Sequence, residues 1–246
     1  MKNRDQIWLE AVETIVEHEY EHDGHVEKIA KMLIDNPWLP SHVGPLTHEQ
    51  GRRDETAATL LMVAAWIDAA ADVELLAPLS NASRVDSLGD SAMIYALLCP
   101  DKNKRARLVQ ALIPHSDLGL QSAYRNNRNP AMFGIYKSDD DSTEMLLGAM
   151  TLGEAKLRCS EGENILHKIV KQKSARLLGI IIEKQWAAQL LDVKNHSEMS
   201  PRVMIAYMRE HNYEASSEFL AKFEKWEIEA SLRAGGERLS APARRL

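Results

Sequence analysis

The sequence predicts an all-α protein built as a helical-pair solenoid, and three observations carry that prediction. Ala, Leu, Glu and Lys dominate, aromatic residues make up 6% of the chain, and Gly and Pro number only 12 and 9, a bias that favours helix over strand. No stretch alternates polar and apolar residues as a half-buried strand would. A unit of thirty-odd residues recurs from about residue 54 onward, each copy opening on a hydroxyl or amide side chain ahead of a short apolar run.

The elements follow in chain order. Residues 6–22 place Ile7, Leu9, Val12, Ile15 and Val16 near one helical face, and Asp23-Gly24 ends the run. A second helix over 25–34 carries Val26, Ile29, Ala30 and Leu33 on one side. Asn36-Pro37-Trp38-Leu39-Pro40 stops it, because proline disfavours helix in the residue before it. Residues 40–53 lack periodicity and read as a connector, so residues 1–53 are expected to form an N-terminal helical cap. Repeats are expected over 54–232. The tail, 233–246, has little to bury and is expected to be flexible.

The repeat is visible in five openings. Thr59-Leu60-Leu61-Met62-Val63-Ala64-Ala65 aligns with Ser91-Ala92-Met93-Ile94-Tyr95-Ala96-Leu97, with Asn129-Pro130-Ala131-Met132-Phe133-Gly134-Ile135 and with Asn164-Ile165-Leu166-His167-Lys168-Ile169-Val170. Ser200-Pro201 opens a fifth copy, and the offsets are 32, 38, 35 and 36 residues. About a dozen residues after each opening comes a more apolar stretch, as at Val73–Leu76, Leu108–Ile113, Met145–Leu147, Leu177–Ile182 and Phe219-Leu220. These openings resemble the Thr-Pro-Leu-His-x-Ala-Ala motif of ankyrin repeats. In that family the Thr or Ser caps the first helix, the Leu and Ala face the stack, and a Gly precedes the turn, as Gly89 and Gly162 do here. The chain departs from the motif in keeping its His only at His167 and its Pro only at Pro130 and Pro201, and in lacking the Gly between the paired helices. The resemblance covers about residues 54–225 and implies an ankyrin-like solenoid of degenerate repeats that acts as a protein-protein interaction module. Another helical-pair solenoid or an irregular bundle would share much of the pattern.

Composition narrows the function classes. A formal net charge of −6 argues against a phosphate-tracking surface, so nucleic acid is not expected as a partner. Cys99 and Cys159 are the only cysteines, which favours a reducing compartment. Met1 to Leu9 leads straight into amphipathic sequence, with no apolar stretch of the length that a signal or span needs. A soluble, cytoplasmic protein without cofactor or membrane partner is expected; its oligomeric state is left open. By analogy the chain resembles a microbial effector or inhibitor, including one delivered into a host cell.

Two functional readings compete. His18-Glu19-Tyr20-Glu21-His22 matches His-Glu-x-x-His, in which His18 and His22 share a helical face and can bind zinc while Glu19 acts as general base. The metallopeptidases with this motif place it after a sheet, for which seventeen preceding residues leave no room, so a solvated polar helix end is the preferred reading. No Gly-Lys-Ser/Thr phosphate loop, Gly-x-Gly-x-x-Gly or Gly-x-Ser-x-Gly occurs. Cys159 with His167 lacks an orienting third group. Lys102, Lys104, Arg105 and Arg107, Lys168, Lys171, Lys173 and Arg176, and Asp139-Asp140-Asp141 form charge runs of the kind found at solvated helix ends, although aligned basic runs would steer an acidic partner.

The favoured reading is a binding module. In the ankyrin register the position after the motif's His points outward and is held by Val63, Tyr95, Phe133 and Lys168; the next outward positions are Trp66, Leu98, Tyr136 and Lys171. Trp66, Tyr95, Phe133, Tyr136, Lys168 and Lys171 are therefore the candidate partner-binding residues, since exposed aromatics anchor protein interfaces. The alternative is that the rings fill gaps between degenerate repeats.

Overall fold

The computed structural model describes residues 2–17, 25–46, 56–211 and 217–240. The chain divides into two compact units, Met1–Glu161 and Gly162–Leu246, and each is made of helix pairs.

Capping chemistry sets the register. The first helices of the repeats are α3 (Leu60–Trp66), α5 (Ala92–Leu98), α7 (Pro130–Tyr136), α10 (Ile165–Gln172) and α13 (Pro201–Glu210), and their N-cap residues are Thr59, Ser91, Asn129, Asn164 and Ser200. These are the five residues on which the sequence repeat was aligned. Four of the five side chains accept the N–H of the residue three further on; Ser91 holds the cap position without such a bond. Each satisfied cap is worth about 1 kcal/mol.

The second helices are α4 (Ala70–Leu76), α6 (Lys102–Leu112), α8 (Asp140–Ala149) and α11 (Ala175–Glu183), and the long α14 (Ser217–Ser240) takes that place after α13. In the first unit α3 packs on α5 and α5 on α7, while α4 packs on α6 and α6 on α8. The N-terminal helices α1 (Arg4–Glu17) and α2 (His25–Asp35) pack on α3 and α4 respectively, as one more layer would. In the second unit α13 packs on α10 and α14 on α11. Leu61, Met93 and Leu166, each two residues past its N-cap, have no exposed surface. The apolar seams thus close between neighbouring pairs, and each such leucine buried contributes about 1.5–3 kcal/mol. Two single-turn helices, α9 (Leu152–Ala155) and α12 (Ala187–Leu190), follow α8 and α11.

Backbone geometry at the turns also repeats. Two residues before the cap, Gly89, Asn127, Gly162 and Glu198 all have positive φ, and nine residues after it so do Asp68, Ser138 and Lys173. The second set stands where the ankyrin motif has its missing Gly.

Three features go beyond the sequence pattern. A short antiparallel pair is formed by β1 (Gly44–Leu46), inside the connector, and β2 (Thr56–Ala58), after it, and single bridges join Val85 to Ser91 and Ser122 to Arg128. These hairpins are too short to show an alternating pattern. The last helix, α14, runs as far as Ser240. Gly44 is required by packing, since a Cβ there would land in the indole of Trp8, a side chain with no exposed surface.

Candidate protein-binding surface

Two stripes of side chains leave the first helices, and they differ in what covers them. Four residues past the cap stand Val63, Tyr95, Phe133 and Lys168, exposed by only 1%, 3%, 2% and 7%. The expectation that Tyr95, Phe133 and Lys168 face solvent is therefore corrected. At Tyr95, Phe133 and Lys168 the cause lies in the segment that precedes the helix, which supplies a partner for each side chain. The Tyr95 hydroxyl donates to Asp86, whose other carboxylate oxygen accepts the N–H groups of Leu88 and Asp90 at 2.9 Å each. The Arg125 guanidinium lies 5.4 Å from the centre of the Phe133 ring and is held there by Asp90, which accepts from its Nε and Nη2 at 3.1 and 2.9 Å. Asp90, fully buried, also accepts from Ser122 Oγ at 2.5 Å.

In the second unit the same position is Lys168, whose Nζ is 2.6 Å from Glu163; Lys171 Nζ is 2.5 Å from the other oxygen of that carboxylate. Glu163 is buried, with Asn195 Nδ2 donating to it at 3.2 Å. Burial alone would raise its pKa, but the hydrogen bonds and charges of the two lysines outweigh that and hold it at about 2. Both lysines of the candidate set are therefore engaged in an internal ion triad.

Seven residues past the cap the picture reverses. Trp66 and Leu98 are half-buried, Tyr136 is 61% exposed, Lys171 is exposed, and Tyr207 is 49% exposed. Trp66, Leu98 and Tyr136 lie on neighbouring helices of the first unit. Lys171 and Tyr207 lie on neighbouring helices of the second. The hairpin preceding α7 adds Tyr124, 61% exposed with Arg125 stacked 4.9 Å away. Sequence reasoning missed Tyr207 and Tyr124. Tyr207 was reachable, because it repeats the offset of Tyr136 from its own cap; Tyr124 carries no repeat signal.

The remaining candidates resolve individually. His18, Glu19 and His22 lie outside the described residues. His167 Nδ1 is 2.8 Å from Asn164 Oδ1 and its Nε2 is 3.1 Å from the Met199 carbonyl, so both ring nitrogens serve the repeat's own hydrogen bonding. Cys99 is buried, and desolvation together with the neighbouring Asp68 pushes its thiol up to about 12, far from a reactive thiolate. In the first basic run, Arg107 makes two bonds to Glu74 at 2.6 and 2.9 Å, and Arg105 pairs with buried Asp139 at 2.8 Å. Both arginines are thus spent on ties between α6 and its neighbours α4 and α8.

No family model matches the sequence, and no curated protein matches it. Solved structures are similar: the ankyrin repeat protein EF0377, at 16% identity and a TM-score of 0.59, covers 89% of this chain and 98% of its own. An ankyrin repeat domain from Acinetobacter baumannii AYE, at 14% identity and a TM-score of 0.62, covers 87% of this chain and 97% of its own. With five caps in register and, within each unit, seams that close between successive pairs, the chain has the ankyrin-repeat fold.

Proposed function

We propose that this protein is a protein-protein interaction module, capped by α1 and α2, that takes a segment of a partner on the face formed by its inter-repeat hairpins and the C-terminal ends of its first helices. One observation carries the reading: the residues seven past the cap, Trp66, Leu98 and Tyr136, are apolar or aromatic, stand at the same position on the neighbouring helices α3, α5 and α7, and are half-buried or exposed where the position four past the cap is sealed. Stability and recognition are separable in a repeat stack, because the seam lies between pairs while these positions remain available. Such a module acts by occupancy, as an inhibitor or effector does.

The test is selection of a random-peptide display library on the full chain, followed by rebinding to Tyr136→Ala and Leu98→Ala. The expected result is enriched clones whose affinity falls at least about tenfold in either variant, the scale of an interface anchor, with a loss of folding stability of about 1 kcal/mol or less. Clones indifferent to both substitutions would place the binding face elsewhere.

A further inference from the structure

A guanidinium carries five N–H donors, and donors taken out of water without acceptors are costly, so an arginine drawn into a protein is normally answered. In the first unit Arg105 Nε forms a close ion pair with Asp139 at 2.8 Å, without hydrogen-bond geometry, while its Nη1 donates to the Cys99 carbonyl at 2.9 Å, and Arg125 makes two bonds to Asp90. Among the described residues the Arg128 side chain has neither a hydrogen bond nor a close ion pair. It is 9% exposed, and its Nε is buried with no hydrogen-bond partner among the described residues. Its ion pair is long: Nη2 stands 3.7 Å from Oε1 of Glu161, a side chain that is itself 43% exposed. The face of the guanidinium is covered by Tyr136, with the ring centre 4.1 Å away. Stacking orients the fork and shields it from water without giving it an acceptor.

We propose that Arg128, held by Tyr136, is the receptor for a carboxylate of an acidic partner segment. Glu161 marks the edge from which that carboxylate enters. Charge complementarity selects the occupant: a planar fork matches a carboxylate through two parallel bonds, and the same region adds exposed Lys137 and Arg158. Tyr136, and Leu98 on the adjoining helix α5, suit an apolar residue beside the acid. The site deepens the binding reading above and rests on it.

The experiment uses two labelled twelve-residue peptides, four repeats of Glu-Leu-Ser and four of Gln-Leu-Ser, titrated into the full chain at low salt. The acidic peptide is expected to bind at least about tenfold tighter, the worth of a paired carboxylate. Arg128→Gln is expected to reduce that ratio to within about twofold, and Glu161→Gln, at an exposed side chain, to tighten the acidic peptide several-fold by removing its competitor. Equal binding of the two peptides, no response to Glu161→Gln, or displacement of the peptide by millimolar inorganic phosphate would each overturn the proposal. If display clones depend on Tyr136 yet show no need for Asp or Glu, the acidic receptor falls while the binding face stands; if no clone depends on Tyr136 or Leu98, the face itself falls.

Discussion

Phe133 and Tyr136 sit three residues apart on α7 with stacked rings 6.1 Å between centres, yet one is sealed and the other lies open. The difference is made by Arg125 and Asp90, which close over position 133 and stop short of 136. Glu163 shows the same hairpin logic with charge. Its pKa is depressed in the folded protein, so its contribution to stability is fully present above the ordinary glutamate value of about 4.3 and is lost as pH falls toward about 2. Urea unfolding followed from pH 6 to pH 2 should therefore weaken across that window. Glu163→Gln should lower stability at neutral pH and flatten the acid slope; an unchanged slope would remove the ion triad from the account. The left-handed residues Ser138 and Lys173 offer a gain instead. A side chain there costs roughly 1–2 kcal/mol, of which part is recovered by the more restricted unfolded chain, so Ser138→Gly or Lys173→Gly should raise stability by a few tenths to about 1 kcal/mol, read as a higher urea midpoint.

Between helices, the ties that hold the layers are specific. The basic α6 lies between α4, which supplies Glu74, and α8, which supplies Asp139. The exposed Arg107 pair is worth little, but Arg105 and Asp139 are both buried. Removing one partner strands the other, and Asp139→Ala should cost on the order of 3 kcal/mol, against less than about 1 kcal/mol for Glu74→Ala; equilibrium denaturation of the two variants checks the contrast. Gly134 lets α7 and α8 approach, because a Cβ there would meet Thr143 Oγ1 at 2.5 Å. At this scale the sequence was legible where chemistry is local. The caps Thr59, Asn129, Asn164 and Ser200 announce themselves through a side chain that bonds three residues on. The cover over Tyr95 and Phe133 was not legible, since it depends on Asp86, Asp90 and Arg125, which lie in turns whose path the helical period does not encode. Nor were the one-bridge hairpins, or the left-handed turns at Asp68, Ser138 and Lys173 where the expected glycine is absent.

Across the whole molecule, the fold was readable because a repeat stack writes its core as one recurring pattern, so that Leu61, Met93 and Leu166 could be placed from spacing alone. The proposed face was half readable for the same reason: the offset of seven from the cap points to Trp66, Tyr136 and Lys171, which are half-buried or exposed, while the offset of four points to residues that are buried. The account turns on that distinction between the two offsets. Equilibrium urea denaturation of Phe133→Ala and Tyr136→Ala tests it directly, on adjacent rings of a single helix. The loss expected for Phe133→Ala is about 3–5 kcal/mol and for Tyr136→Ala, which gives up an exposed ring and its stack on Arg128, about 1 kcal/mol or less; equal losses, or the reverse order, would contradict the register on which both the fold and the proposed face are built.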